Sequence, residues 1–196
     1  LVPFSFDGAE LFIELDYDRL DDRYLPTSGL LTQLKYTHSS EKLGADISFN
    51  QIEVGVFGSH TFGFHNFMWG GQYNTSLDDD VPIYGMYAGG GFLNMSGFEA
   101  NSLIGKHYGM VMAGYRYQVA KSGFLPGYVG TTLEYGNATQ ERSEIFSEGL
   151  INGSVYLGYR SPLGPIYLGI GWSEERSAIY FIRMGSIFGA RSLGRR

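Results

Sequence analysis

Met110-Val-Met-Ala-Gly-Tyr-Arg-Tyr-Gln-Val119 decides the fold. Val111, Ala113, Tyr115, Tyr117 and Val119 fall on one side of this stretch, and Met110, Met112, Arg116 and Gln118 on the other. Successive side chains of an extended chain point to opposite faces, so a period of two marks a strand with one apolar and one mixed face. The same period runs through the chain. Ala9, Leu11, Ile13, Leu15 and Tyr17 alternate with Glu10, Phe12, Glu14, Asp16 and Asp18, and Leu30, Thr32, Leu34 and Tyr36 with Leu31, Gln33, Lys35 and Thr37. Ile47 and Phe49 open a further strand that Ile52, Val54 and Val56 continue in the opposite phase, which predicts a bulge near Asn50 and Gln51. Phe67, Trp69 and Tyr73 oppose Asn66, Gln72 and Asn74.

The pattern is cleaner in the second half. Val129, Leu133 and Tyr135 oppose Thr132 and Glu134, and Ile151, Val155, Leu157 and Tyr159 oppose Asn152, Ser154, Tyr156 and Arg160. Ile166, Leu168, Ile170 and Trp172 lead through a short turn to Tyr180, Ile182, Met184 and Phe188, with Arg183 on the other face. The sum is nine strands of roughly 9–14 residues joined by turns rich in Gly, Pro, Asp and Ser.

Composition agrees with a sheet protein of an unusual kind. Of 196 residues, 43% are hydrophobic, 16% aromatic and 17% charged, and there is no cysteine. Those values exclude a disordered chain and a disulfide-stapled domain. Glycine, at 29 residues, is about twice its usual share of roughly 7%, as expected where sheets bend and backbones approach closely. A net charge of −6 argues against nucleic acid as a partner.

Two architectures give such strands: a soluble sandwich or barrel with its apolar face inward, and a membrane barrel with its apolar face toward lipid. Strand length favours the membrane, where about 9–11 tilted residues span the hydrocarbon and soluble strands peak near 5–6. Tyr17, Tyr36, Tyr117, Tyr135, Tyr159, Trp172 and Phe188 sit near the ends of apolar faces, where an interfacial girdle belongs. The other face carries Glu14, Asp16, Arg116, Glu134, Arg160 and Arg183, which a lumen accepts and a dry core does not. The expected fold is an all-β, antiparallel transmembrane β-barrel.

One segment, residues 77–106, breaks the alternation. It holds Asp78-Asp79-Asp80, the run Gly89-Gly-Gly-Phe-Leu-Asn-Met-Ser-Gly-Phe98, and too many apolar groups (Tyr84, Met86, Tyr87, Phe92, Leu93, Met95, Phe98) to stay in water. A loop that long inside a compact domain is disordered or functional. Its apolar content predicts that it folds into the lumen.

The order of features resembles the bacterial surface antigen superfamily, the BamA/TamA-like outer-membrane assembly and translocation barrels, including those fused to patatin-like phospholipases. The matching pieces are Leu20-Asp-Asp-Arg-Tyr-Leu-Pro-Thr-Ser-Gly29, Tyr87-Ala-Gly-Gly-Gly-Phe92 with Ser96-Gly97-Phe98, Ser161-Pro-Leu-Gly-Pro-Ile-Tyr-Leu-Gly169, and a last strand ending Met184-Gly-Ser-Ile-Phe188. The resemblance implies a barrel domain over residues 1–188, an inserted loop over 77–106 and a tail over 189–196. It places the turns near Pro26, Lys121 and Pro165 in the periplasm and makes Gly89, Gly90, Gly91, Phe92, Ser96, Gly97 and Phe98 the loop motif, with Tyr180 and Phe188 as terminal-strand signals. The family's barrel has about sixteen strands, an even number as in bacterial single-chain barrels generally. Nine therefore implies that the first seven strands, with any periplasmic or enzymatic domain, lie upstream of Leu1.

One departure concerns the loop tip. The family's assembly members carry an arginine where this chain has Ser96, so the usual ion pair from loop to acidic wall residue is not expected through position 96. Ser-Gly-aromatic is more similar to the patatin-fused barrels.

Rival chemistries are weaker. Ile104-Gly-Lys-His107 lacks the earlier glycine and the following Ser or Thr of a phosphate loop, and no G-x-S-x-G elbow exists, so no lipase or other enzyme is expected within these residues. His38, His60, His65 and His107 have no metal-ligand spacing, and neither a metal nor a cofactor is expected. The expected function is a bacterial outer-membrane barrel for insertion, translocation or display of polypeptide. The anchor of a patatin-like phospholipase, and a passive porin-like or soluble barrel, are the alternatives. Expected partners are outer-membrane lipid, the barrel-assembly machinery, a polypeptide substrate or upstream fused domain, and a second copy as homodimer.

Overall fold

The structure, a computed structural model, describes residues 7–119, 127–161 and 163–185. Its strands are β1 (Glu10–Asp18), β2 (Gly29–Ser39), β3 (Phe49–Phe62), β4 (His65–Ser76), β5 (Tyr87–Gly89), β6 (Leu103–Gly105), β7 (His107–Gln118), β8 (Gly127–Thr139), β9 (Leu150–Ser161), β10 (Gly164–Ser173) and β11 (Ile179–Met184), with one short helix, α1 (Glu144–Ser147). Nine of the strands form a single antiparallel sheet in the order β1-β2-β3-β4-β7-β8-β9-β10-β11, and β5 and β6 pair separately inside the long loop. The nine sheet strands are those read from the alternation, five of them after the loop. The turn expected near Lys121, the aromatic Phe188 and the tail 189–196 lie outside the described residues.

Register carries the alternation across the sheet. Asn66, Arg116, Gly130, Tyr156, Gly169 and Phe181 are successive cross-strand neighbours on one face, and Met112, Glu134, Asn152 and Ser173 lie in a parallel row. That face is the buried one although it is polar: Arg116, Glu134, Gln51, Asn152 and Ser154 are all at most 1% exposed. The opposite face is the exposed one although it is apolar, with Leu15, Trp69, Val111, Leu133, Leu157 and Leu168 all at least half exposed. In water this would be an apolar patch far beyond what a soluble monomer shows. Against hydrocarbon it is the favoured arrangement, and the molecule is an antiparallel transmembrane β-barrel wall with an inserted loop.

The sheet curls. The carbonyl of Tyr24, in the β1–β2 turn, accepts a hydrogen bond from the Tyr167 hydroxyl of β10 at 3.4 Å. In a flat sheet β2 and β10 would stand about 29 Å apart, six strand spacings. Inside the curve lies the core: Leu25 of the turn, Tyr87, Phe92, Leu93, Met95 and Phe98 of the loop, and Tyr108, Met110, Met112, Tyr156 and Tyr167 of the wall.

One expectation is corrected. β3 pairs with β2 and β4 without a bulge, so Phe49 points inward with Gln51 and Glu53. The phase change has another cause: the loop covers the wall there, and Phe49 is buried with its ring edge-on to Tyr84 at 6.3 Å. An inward position roofed by protein takes an apolar residue.

Candidate functional site

The site is where the loop meets the wall. Gly90 and Gly91 take φ of 110° and 102°, and Leu93 and Met95 take 61° and 70°, a left-handed region that costs L residues energy. Main-chain bonds from Gly90 N to Asn94 O (2.8 Å), Asn94 N to Gly91 O (2.9 Å) and Phe98 N to Met95 O (3.0 Å) wind these residues into consecutive tight turns. The winding turns Ser96 toward β8. Its backbone N–H donates to Glu134 Oε2 at 2.5 Å and its hydroxyl donates to Glu134 Oε1 at 2.6 Å, while the hydroxyl accepts from Leu93 N at 3.0 Å. Thr132 adds a third donor to the same carboxylate at 2.8 Å. Among the described residues no cation bridges Glu134, so neutral donors hold it.

Packing secures both flanks of that contact. The Phe92 ring centroid lies 4.6 Å from Phe181, 4.8 Å from Tyr156 and 5.2 Å from Tyr167. Asn94 Oδ1 accepts from Gln72 of β4 at 2.6 Å and from the Tyr108 hydroxyl of β7 at 2.8 Å. Two glycines make the closest approach possible: a Cβ on Gly171 of β10 would fall on the Ser96 carbonyl, and a Cβ on Gly97 would fall on the Trp172 backbone. Phe98 is buried beneath Arg176, whose guanidinium stands 5.0 Å from the ring centroid.

The remaining sequence candidates are dispersed. Glu14 and Asp16 line the inner side of the exposed β1, where Asp16 accepts from Gln33 at 3.0 Å; Lys35, opposite Glu14, pairs with Glu53 at 3.5 Å. Arg183 faces inward opposite Tyr167, whereas Tyr180 faces outward and is 82% exposed. The histidines serve local bonds and contacts: His38 with Asn50, His65 with Tyr115, His107 with Thr75, and His60 against Phe62.

Sequence reasoning missed a second inward segment. The β1–β2 turn folds back over the inner face at the opposite end from the loop. Arg116 donates to the Pro26 carbonyl, Ser59 donates to the same oxygen at 3.1 Å, and Thr61 and Asn66 donate to the Thr27 carbonyl at 2.8 and 3.1 Å. Asp22 pairs with Arg160 of β9. Asp21 folds the turn itself, accepting from the Thr27 hydroxyl at 2.5 Å and from the Thr27 and Ser28 amides at 2.8 and 2.9 Å. Partial burial would raise the Asp21 pKa, but those donors outweigh it and hold it below the ordinary carboxylate value. The one sequence signal was Leu25-Pro26, an apolar pair amid aspartates.

The sequence profile of the Omp85 superfamily domain matches residues 2–182. The chain belongs to the Omp85 superfamily. Among solved structures, the crystal structure of BamA from Haemophilus ducreyi lacking POTRA domains 1-3 is similar, with a TM-score of 0.70 at 14% identity, covering 90% of this chain and 41% of that one. At that identity the likeness is one of fold, and this Omp85 chain spans about two fifths of the length of that BamA chain. No curated protein matches it. Within this family, an outer-membrane barrel family of assembly and translocation, Ser96 is informative: the expected loss of an arginine bridge does not free the loop, because the same position reaches Glu134 through its amide and hydroxyl.

Proposed function

We propose that this Omp85 chain forms part of a bacterial outer-membrane barrel that handles polypeptide, for insertion, translocation or display, and is not itself an enzyme. The observation that carries the reading is the loop pinned to the inner wall at Ser96 and Glu134, packed into the core that fills the inside of the curved sheet. A loop braced in this way keeps the curvature of the wall while polypeptide is engaged beside it. The filled inner face weighs against a passive pore. Outer-membrane lipid on the apolar face, the barrel-assembly machinery and a polypeptide substrate are the proposed partners.

A second reading, the anchor barrel of a patatin-like phospholipase encoded upstream, draws on Ser96-Gly97-Phe98 in place of an arginine-bearing tip. One experiment separates the two. The full-length protein is reconstituted in liposomes and offered an unfolded outer-membrane barrel protein, whose acquisition of protease resistance is timed. Faster acquisition than in protein-free liposomes, lost with Glu134→Ala, supports polypeptide handling. Rates equal to those of protein-free liposomes overturn it and leave the anchor reading.

A further inference from the structure

Resting on the polypeptide-handling reading, we infer that the patch beneath the β1–β2 turn is a binding site for an extended polypeptide bearing a carboxylate, occupied in this structure by the chain's own turn.

The patch is built for a peptide backbone. Side chains from four wall strands, Ser59 and Thr61 of β3, Asn66 of β4, Arg116 of β7 and Tyr167 of β10, all donate to main-chain carbonyls, those of Tyr24, Pro26 and Thr27. None of these bonds reads a side chain of the turn, so any segment of similar backbone course satisfies them.

The turn also underuses the site. Arg116 is fully buried and its guanidinium lies 5.4 Å from the Tyr128 ring centroid, yet its one hydrogen bond goes to a neutral carbonyl, and its Nε and Nη1 have no hydrogen-bond partner. The buried Tyr156 hydroxyl, which stands over Gly130 directly across from Arg116, has no partner either. A guanidinium taken out of water without a counter-charge is costly, and a carboxylate that takes the place of the Pro26 carbonyl at Nη2 forms the strong two-pronged pair through Nη2 and one of the two free nitrogens. The native occupant commits its two carboxylates elsewhere, Asp22 to Arg160 and Asp21 to the turn's own Thr27 and Ser28, and supplies none to Arg116. Leu25 fills the adjoining apolar space against the core. The ligand class that completes the site is therefore an extended segment with an apolar residue and a carboxylate, from a side chain or a chain end, positioned at Arg116. For such a ligand to enter, the turn must swing out.

The chain has no cysteine, so Asp22→Cys with Arg160→Cys places one unique pair across the closure. A short bis-methanethiosulfonate bridges the pair reversibly, and a monofunctional reagent gives the unbridged control. The probe is a fluorescein-labelled Gly/Ser/Leu hexapeptide with a free C-terminal carboxylate, beside its amidated twin, read by anisotropy on the full chain in detergent micelles. The acid peptide is expected to bind the unbridged form about tenfold more tightly than the bridged form and than the amidated twin does, with reductant restoring binding to the bridged sample. Arg116→Gln, checked for heat-modifiable mobility, is expected to erase the difference between acid and amide. Equal binding by bridged and unbridged forms, or of acid and amide peptides, overturns the site, as does no binding by either form. The liposome assay reads the wider function separately: acceleration there without peptide binding here overturns the patch alone.

Discussion

Two segments fold inward from opposite ends of the same wall, and they are held by different physics. The loop is held by shape: Phe92 is packed among three aromatic rings, Gly97 and Gly171 let backbone lie on backbone, and a buried carboxylate takes two of its hydrogen bonds from Ser96. The turn is held by polar donors to its carbonyls, by one apolar anchor, Leu25, and by one ion pair whose Arg160 side chain is about half exposed. Packed contacts of the first kind come apart together or not at all, whereas the hydrogen bonds and ion pair of the second kind are remade with water once the turn lifts. The loop is thus a fixed brace and the turn a releasable cover.

Substitutions break this contrast in a definite order. Phe92→Ala removes a loop ring packed against three others and should lower unfolding stability by about 4 kcal/mol, read by urea titration in micelles. Gly171→Ala should cost about 3 kcal/mol in the same titration, because the Ser96 carbonyl occupies the space of the new methyl. Glu134→Ala leaves the buried Ser96 amide and hydroxyl without their acceptor and should cost about 2 kcal/mol. Ser96→Arg, which would restore the family's side chain, is expected to destabilise, since Ser96 is 1% exposed and lies against Gly171. A thermal upshift would show that the wall opens to admit it.

The turn should respond far less. Asp22→Asn removes an ion pair open to solvent on one side and should cost under about 1 kcal/mol in global stability. Asp21 makes the smallest and most local prediction. Its pKa is depressed in the fold, so its contribution is present above the ordinary carboxylate value of about 3.9 and disappears as pH falls through the lowered value. Limited proteolysis within residues 19–28 should rise in that acid window, and Asp21→Asn should show raised cleavage at every pH.

Most of the wall was legible in sequence because alternation is local: each strand declares its faces within a few residues, as Met110 to Val119 does. The loop was legible by the failure of the same rule. What sequence could not supply was pairing at a distance. Ser96 and Glu134 were each singled out, yet their contact depends on left-handed turns at Leu93 and Met95 that no propensity predicts. Gly171, an inward strand glycine, carried a faint mark of close approach. The fold-back of Leu25 and Pro26 depends on curvature summed over many strands, and the inward Phe49 depends on a roof contributed by Tyr84 and Gly85.

Hydrogen–deuterium exchange of the protein in lipid nanodiscs, resolved to residues 19–28 and 90–98, tests the contrast most directly. A fixed brace and a releasable cover require the amides of Leu93, Ser96 and Phe98 to exchange as slowly as those of β7 and β8, and the amides of Tyr24, Leu25 and Thr27 to exchange well before any strand opens. Equal protection of the two segments, or earlier exchange in the loop, would contradict the account.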